Sequence, residues 1–250
     1  MEILGIDVGG SGIKGAIVNA DTGELVTERF RLPTPHPSYP EEVAKVIKDL
    51  IMHFDYNGPI GVTFPSVIKN GKCFTATNIH REWIGTQVDE LFEKHCGNKF
   101  FVLNDADAAA EAEMKFGAGK DKDGLVVTIT VGTGIGSGVF YNGVLIPNYE
   151  MGIMLGKDGK IIERYAADSA RKREGLSIKK WAAKRLDFLL NHAAGVMNPD
   201  LFIIGGGISK KMAKFEDLLT VNVPVVAAKN QNNAGIIGAA MFAYDHMKQD

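Results

Sequence analysis

Alternating apolar and polar residues predict several strands in the first hundred residues of the chain. The turn Asp21-Thr22-Gly23-Glu24 joins two of them and has the residue types that hairpins need. After a proline-rich loop, apolar residues recur at helical spacing from Val43 to Phe54, which predicts an amphipathic helix. A hairpin is expected at Asn70-Gly71 and a further helix around Leu91. The predicted strands cover residues 2–7, 12–19, 25–32, 59–64 and 100–103.

The second half of the chain repeats this order of elements. A hairpin across a glycine-rich turn is followed by a long charged helical stretch that ends near Met197. A later strand leads into a helix that begins near Ser209, and an alanine-rich helix at 234–247 completes the pattern. The strands predicted here cover residues 125–131, 136–141, 201–204 and 223–227.

A meander of strands followed by strands that alternate with helices, twice over, predicts a duplicated βββαβαβ unit in an α/β protein. We expect a smaller N-terminal lobe over residues 1–104 and a larger C-terminal lobe over residues 105–233. The final helix, 234–250, is expected to pack back on the N-terminal lobe.

Composition narrows the classes of function. Apolar residues make up 45% of the chain and charged residues 23%, and a net charge of −2 favours neither nucleic acid nor an anionic membrane. The two cysteines, Cys73 and Cys96, provide neither a disulfide framework nor a zinc site. The chain starts almost at once with a strand, and no apolar run approaches the roughly 20 residues that span a bilayer. We therefore expect a cytoplasmic protein without zinc and without a membrane or nucleic-acid partner.

Two glycine-rich turns, one in each half of the chain, follow apolar strands. Glycine lets backbone N–H groups approach a phosphate closely because no Cβ intrudes. Two such turns, each with a small hydroxyl residue, suggest two lobes that close on one phosphorylated ligand, which indicates phosphoryl transfer. The second turn lacks the third glycine of the dinucleotide fingerprint, and neither turn matches a Walker loop. The candidate phosphate-binding residues are Gly9, Gly10, Ser11, Gly12, Lys14, Gly132, Thr133 and Gly134.

Asp7 ends the first strand, directly before the first glycine turn. A carboxylate in this position is well placed to hold Mg²⁺, directly or through water. The alternative is an aspartate that only caps the turn. The presence of a second glycine turn favours the metal role.

Asn104-Asp105-Ala106-Asp107 follows the strand 100–103 and opens a helix. Aspartate is a good N-cap, which is the plain structural explanation. Two aspartates exceed what a cap needs, so one is a candidate general base for an attacking hydroxyl. Asp105 is the candidate catalytic residue, and Asp107 is expected to be the cap or to support Asp105.

Two further features of the second half are candidates for binding. Gly205, Gly206 and Gly207 follow a strand, where ligands bind in α/β folds, and are candidates for nucleotide binding; a plain strand-to-helix turn is the alternative. Ten cations and four anions lie between Lys157 and Arg185. This excess would attract a polyanion, although a solvated helix face is the favoured interpretation.

These motifs resemble those of the ROK family of sugar kinases (repressor, open reading frame, kinase), within the actin-like ATPase superfamily. The resemblance implies an actin-like, ribonuclease-H-like fold with two lobes, and transfer of a phosphoryl group from polyphosphate or ATP to a hexose, with glucose at its 6-hydroxyl the expected acceptor. It is closest to the polyphosphate glucokinase branch. The matching segments are 7–14, 61–65, 75–79, 83–85, 104–109, 132–136 and 199–209.

The resemblance also implies roles for residues at matching positions. Asp105 would deprotonate the sugar hydroxyl, Asp7 would organise Mg²⁺, and the two glycine turns would hold the phosphates of the donor. Family members are commonly dimers, so a homodimer is expected. The implied sugar-binding residues are Asn78, Asn104, Asp105 and Glu150.

One motif departs from the family pattern. Where the family usually has glutamate, any residue, glycine and histidine, this chain has Glu150-Met151-Gly152-Ile153. Isoleucine forms no hydrogen bond, and a buried sugar hydroxyl left unpaired costs about 1–3 kcal/mol. We therefore expect a pocket that favours a sugar without a hydroxyl, or with an apolar group, at that point. The alternatives to a kinase are a catalytically degenerate sugar-binding protein and an ATPase that acts on a protein.

Overall fold

Each of two five-stranded sheets starts as an antiparallel meander and continues into parallel strands. The computed structural model describes residues 1–156 and 159–247. It divides into a first unit, residues 1–112 with the C-terminal segment from Asn233, and a second unit, residues 113–232. The sequence-based division at residue 104 differs from this one in residues 105–112.

The elements up to residue 116 alternate strands with three helices after the meander. They are β1 (Glu2–Val8), β2 (Ile13–Asn19), β3 (Phe30–Leu32), α1 (Pro40–Phe54), β4 (Ile60–Phe64), β5 (Ile68–Lys69), β6 (Lys72–Cys73), α2 (Val88–Cys96), β7 (Phe100–Asn104) and α3 (Asp105–Phe116).

The later elements repeat the meander and add several short helices. They are β8 (Leu125–Val131), β9 (Ile135–Tyr141), β10 (Val144–Ile146), α4 (Glu163–Ala166), α5 (Asp168–Arg173), α6 (Ile178–Trp181), α7 (Asp187–Met197), β11 (Leu201–Gly205), β12 (Val225–Ala227) and α8 (Ala234–Met247).

Segments of other helix types join these elements. A π-helical turn, Ala182–Leu186, links α6 to α7. The 3₁₀ segments are Arg81–Trp83, Met151–Ile153, Gly206–Lys214, Glu216–Leu218 and Gln231–Asn233. No helix in the described ranges is long and apolar enough to cross a membrane.

In the first sheet the strand order is β3-β2-β1-β4-β7. Val43, Ile47 and Leu50 of α1 are fully buried against residues such as Ile6 and Val62 of β1 and β4. Because side chains alternate across a strand, the neighbouring positions point to the opposite face, where α8 packs on β1, β4 and β7.

α8 approaches the first sheet closely because the strand beneath it has a glycine. A Cβ on Gly61 would lie 1.8 Å from the Ala239 carbonyl oxygen, far inside van der Waals contact. Leu103, Ala108 and Ala239 form a small apolar cluster where β7, α3 and α8 meet. This packing explains why residues 105–112 belong to the first unit.

The third predicted strand is shorter than the predicted 25–32. Only Phe30–Leu32 pairs with β2 as a strand. Before it, the backbone N–H of Ile17 donates to the Thr27 hydroxyl at 3.0 Å. The threonine side chain thus takes a position that a backbone carbonyl holds in a regular ladder, and the strand is interrupted there.

In the second sheet the strand order is β10-β9-β8-β11-β12. Its core combines strand residues such as Val127 and Ile129 with Trp181 and Leu189 from the helices. The charged helical stretch ends at Met197, as predicted, with Asn198 in the left-handed conformation that favours a helix end.

The helix predicted to begin near Ser209 is a 3₁₀ helix that starts at Gly206. Ser209 Oγ donates to the Gly206 carbonyl at 2.8 Å. A hydroxyl bonded to the carbonyl three residues earlier accompanies the tighter i to i+3 spacing of this helix type.

Candidate functional site

Three parallel strands of the first sheet end at one edge, where α/β folds bind ligands. Asp7 pairs in register with Thr63, and Thr63 pairs with Leu103, shortly before Asp105. The structure therefore brings the candidate metal-binding residue, the first glycine turn and the candidate base to the same edge of one sheet.

Asp7 is held by side chains from two neighbouring strands. Thr63 Oγ1 donates to Asp7 Oδ1 at 2.9 Å, and Lys14 Nζ lies 3.0 Å from Asp7 Oδ2. Sequence reasoning gave Thr63 no role, although a buried polar residue in the apolar strand Ile60–Phe64 is a signal of one.

The residues around Asp7 could supply only part of the coordination shell of Mg²⁺. The described residues contain no group of three or more histidine, cysteine, aspartate or glutamate side chains that would enclose a metal. Mg²⁺ keeps several waters and needs only one or two carboxylates when a substrate supplies phosphate oxygens. Asp7, whose side chain is 19% exposed, meets that requirement.

The first glycine turn is closed by its own backbone. Gly9 N–H donates to the Gly12 carbonyl at 3.0 Å, and Thr34 Oγ1 donates to the Gly9 carbonyl at 2.5 Å. Gly10 and Ser11 are exposed. The carbonyl of Asn78 is 3.5 Å from the position of a Cβ on Gly10, so this exposed sugar-binding candidate lies beside the turn.

The side chain of Arg31, in β3, contacts the same turn. Sequence reasoning did not predict this contact. The Arg31 Nη2 donates to the Ser11 carbonyl at 2.6 Å. A Cβ on Gly12 would lie 2.3 Å from the Arg31 Nε, so a side chain at residue 12 would displace the guanidinium from its present position. The arginine stands between Phe30 and Leu32 on a short strand, which gave no local signal of a ligand.

Asn104 is the residue that caps α3. Its Oδ1 accepts from the backbone N–H of Ala106 at 2.8 Å and of Asp107 at 3.2 Å, and its Nδ2 donates to the Ser66 carbonyl at 3.0 Å. Of the two roles expected for Asp107, the cap is therefore taken by Asn104. A role of Asp107 in supporting Asp105 stays a prediction. The side-chain amide of Asn104 can take the capping position because α3 begins at the next residue, Asp105. The sugar-binding role of Asn104 stays a prediction.

Asp105 and Asp107 differ in their surroundings. Asp105, the first residue of α3, is exposed, and its Oδ1 accepts from the Ala106 N–H at 2.9 Å. Asp107 is only 1% exposed. A base must reach an incoming substrate, so accessibility favours Asp105.

The second glycine turn accepts hydrogen bonds from a residue of α5. Gly132 N–H donates to the Gly134 carbonyl at 3.0 Å, a closure like that of the first turn. Ser169 Oγ donates to the Thr133 carbonyl at 2.6 Å, and Ser169 N–H donates to the Gly132 carbonyl at 3.2 Å. Thr133 is exposed, so its hydroxyl is accessible to a ligand.

The triple glycine lies beside the end of β8, where the second turn begins. Gly205 pairs in register with Thr130. Gly206 has φ 74°, and a Cβ there would lie 2.5 Å from the Val131 carbonyl oxygen, so the position requires glycine. Gly205–Gly207 and Gly132–Gly134 are thus brought together at one edge of the second sheet.

Glu150 is positioned by Ser137 of β9. Ser137 Oγ accepts from the Met151 N–H at 2.9 Å and donates to the Tyr149 carbonyl, which fixes the backbone on both sides of Glu150. Burial and the negative charge of Glu163 raise the pKa of the Glu150 carboxyl.

Two further residues of the second unit bear on this segment. Glu163, which sequence reasoning missed, accepts from the Ile135 N–H at 2.8 Å just after the second turn. Ile153, in contrast to Glu150, is 65% exposed.

Ion pairs within the basic stretch neutralise part of its charge. Asp168 pairs with Arg171 and Lys172, and Glu174 pairs with Arg185. Lys157, also counted in this stretch, lies outside the described residues. These ion pairs agree with the interpretation of a solvated helix face rather than with a continuous basic surface that binds a polyanion.

Comparison with known proteins identifies the family. A model of the ROK family matches residues 3–150. A polyphosphate glucokinase of Mycobacterium tuberculosis (strain CDC 1551 / Oshkosh) is 49% identical over 239 residues, which cover 95% of this chain and 89% of that protein. The chain belongs to the ROK family.

Solved structures agree with this ROK assignment. The inorganic polyphosphate/ATP-glucomannokinase from Arthrobacter sp. strain KM is 41% identical, with a TM-score of 0.91 over 98% of this chain and 99% of that one. A ROK family glucokinase from Streptomyces griseus, in complex with glucose and AMPPNP, is 23% identical with a TM-score of 0.77 over 98% and 100%, and shares the fold. The predicted family and the predicted actin-like ATPase fold are confirmed.

Proposed function

We propose that this ROK protein is a sugar kinase that transfers the terminal phosphoryl group of inorganic polyphosphate or ATP to the 6-hydroxyl of glucose. Relatives named polyphosphate glucokinase, 49% identical over most of the chain, support this function. The observation that carries it is the position of Asp105, an exposed carboxylate on the same sheet edge as Asp7 and the first glycine turn.

Asp105 acts as the general base in this account. Its carboxylate takes the proton of the sugar hydroxyl while the hydroxyl oxygen forms a bond to the terminal phosphorus of the donor. The bond between that phosphorus and the bridging oxygen breaks, and the shortened polyphosphate or ADP leaves. The products are the sugar phosphate, the shortened donor and a proton held on Asp105.

The glycine turns bind the donor. Their backbone N–H groups, with the hydroxyls of the exposed Ser11 and Thr133, form hydrogen bonds to phosphate oxygens. Gly205–Gly207 receive the nucleotide when ATP is the donor. Mg²⁺, when bound, offsets the negative charge of the donor phosphates, and Asp7 is the residue that would hold it.

The acceptor is bound by Asn78, Asn104 and Glu150 together with Asp105. Amide and carboxyl groups supply the donors and acceptors that sugar hydroxyls require. The fixed backbone around Glu150 supports a recognition role for that side chain. The similarity to proteins named as kinases favours turnover over the degenerate sugar-binding alternative.

A coupled transfer assay tests the proposed function. Purified protein is given Mg²⁺ and either polyphosphate or ATP, with glucose, mannose, 2-deoxyglucose, glucosamine or N-acetylated amino sugars. We expect transfer to glucose from at least one donor, and little donor consumption without sugar. Donor hydrolysis that no sugar stimulates would instead favour an ATPase that acts on a protein.

A cytoplasmic location, a homodimer, and the absence of zinc and of a nucleic-acid partner stay predictions. Metal analysis of the purified protein and light scattering test two of them directly. Bound zinc in stoichiometric amount would contradict the predicted absence of zinc, and a monomer at assay concentration would contradict the predicted homodimer.

A further inference from the structure

Four polar side chains form one row across the first sheet. Arg31 pairs in register with Lys14, Lys14 with Asp7, and Asp7 with Thr63. Residues directly opposite on adjacent strands point to the same face. The row therefore places two cations side by side with one carboxylate, next to the first glycine turn.

The two cations of this row differ in their partners. Lys14 Nζ is 3.0 Å from Asp7 Oδ2, so its charge is offset within the row. Across residues 1–156 and 159–247, no carboxylate lies within ion-pair distance of Arg31. Like charges directly opposite each other destabilise a sheet. An anion bound at this position would relieve that repulsion.

The guanidinium of Arg31 is exposed and contacts the turn. Its Nη2 donates to the Ser11 carbonyl at 2.6 Å, and Gly12 leaves the space that the group occupies. Arginine has five N–H donors in a planar fork that matches phosphate oxygens. The bond to Ser11 uses one of the five donors.

We propose that Arg31 binds a phosphate oxygen of the phosphoryl donor at the first glycine turn, and that it is the principal cation for oligophosphate binding there. This inference rests on the proposed function, because it takes the turn to be a donor site. Lys14, paired with Asp7, is then a residue that positions the carboxylate. The ligand class is a linear oligophosphate, either free or as part of a nucleotide.

The inference is tested by calorimetric binding of inorganic triphosphate in the presence of Mg²⁺ and absence of sugar. The variants are Arg31→Gln and Arg31→Lys, with Arg29→Gln as a control that removes the same charge two residues away. We expect Arg31→Gln to weaken triphosphate binding about 10-fold or more. Arg31→Lys should weaken triphosphate binding several-fold, because lysine keeps the charge but lacks the planar fork of N–H donors.

Steady-state kinetics on the same variants provide a second readout. The donor KM of Arg31→Gln should rise about as much as the dissociation constant of triphosphate, while the glucose KM stays within about twofold. Thermal unfolding confirms that each variant folds. If Arg31→Gln does not fold, the triphosphate affinity of Arg31→Lys is compared with that of Arg29→Gln and tests the inference in its place.

Two results would overturn the inference. One is triphosphate affinity in the Arg31 variants equal to that of Arg29→Gln, and the other is wild-type protein that binds no triphosphate. Wild-type protein that binds triphosphate through Arg31, yet phosphorylates no sugar, would overturn the proposed function and leave the role of Arg31 supported.

Discussion

Lys14 Nζ lies 3.0 Å from Asp7 Oδ2, so the predicted phosphate-binding cation and the predicted metal-binding carboxylate are paired with each other. The other Asp7 oxygen accepts from the Thr63 hydroxyl. A carboxylate restrained from two sides keeps one orientation, which suits the metal-binding role proposed for Asp7.

Thr63→Val should impair activity more than stability. The substitution keeps the shape of a buried side chain but removes the donor to Asp7 Oδ1. We expect kcat/KM to fall about 10-fold and the Mg²⁺ concentration for half-maximal rate to rise, since residues that orient metal ligands have effects of about 10–100-fold. A Mg²⁺ titration of the transfer rate measures both.

The matched control is Thr128→Val in β8. The Thr128 hydroxyl is buried and has no hydrogen-bond partner within the described part of the chain. Removing an unpaired polar group is neutral or stabilising, so this variant should keep wild-type activity. An equal loss of activity in both variants would show that Thr63 does not act through Asp7.

Gly61→Ala should destabilise the first unit. The added methyl would lie 1.8 Å from the Ala239 carbonyl oxygen, so α8 must shift away from the sheet. Overpacking of this kind costs about 1–3 kcal/mol. Denaturant unfolding followed by circular dichroism measures the change in the free energy of unfolding.

Gly195→Ala in α7 serves as the opposite case. A Cβ at Gly195 meets no heavy atom within 4 Å. In a helix interior alanine is favoured over glycine by about 0.5–1 kcal/mol, so this variant should be more stable than wild type. Unchanged stability of Gly61→Ala would contradict the close packing of α8 on the sheet.

Glu150→Gln should change how stability depends on pH. Burial and Glu163 raise the pKa of Glu150 above its ordinary value of 4.5, so between the two values the native state binds more protons than the unfolded state. Wild-type stability therefore falls as pH rises through this window, and a glutamine does not contribute to that fall.

Melting temperatures below and above this pH window measure the difference. Relative to wild type, Glu150→Gln should become more stable as pH rises, while the exposed control Glu216→Gln should follow the wild-type profile. A constant offset between Glu150→Gln and wild type would contradict the raised pKa.

Ile153→His should improve the use of glucose relative to a sugar that lacks one hydroxyl. The resemblance to the family places a sugar-contacting histidine at this position, and isoleucine makes no hydrogen bond. A new hydrogen bond to a neutral hydroxyl is worth about 0.5–1.5 kcal/mol, so kcat/KM for glucose should rise several-fold over that for 2-deoxyglucose. Equal changes for both sugars would show that histidine at residue 153 gains no hydrogen bond to the hydroxyl that 2-deoxyglucose lacks.

Features that are local in sequence were predicted well. Both glycine turns, the helix Ala234–Met247 and the hairpin at Asn70-Gly71 follow from neighbouring residues, because turn chemistry and periodicity act over a few positions. The length of the third strand was predicted wrongly because the Ile17 N–H donates to the Thr27 hydroxyl, which interrupts the regular pairing before Phe30.

Partners that come from distant segments were not predictable. Arg31 reaches Ser11 and Gly12 only because β3 pairs with β2, and Ser169 reaches the second turn from a separate helix. Asn104 displaced Asp107 as the cap because both residue types cap helices, and the sequence alone does not fix where the helix begins.

The most direct test of the central claim compares Asp105→Asn with wild-type protein in phosphoryl transfer to the acceptor sugar. Asparagine keeps the size of the side chain but takes no proton, so kcat should fall at least about 100-fold. Sugar binding measured by calorimetry should stay within several-fold, and Asp49→Asn on the exposed face of α1 should behave as wild type. Activity of Asp105→Asn within several-fold of wild type would contradict the assignment of the base.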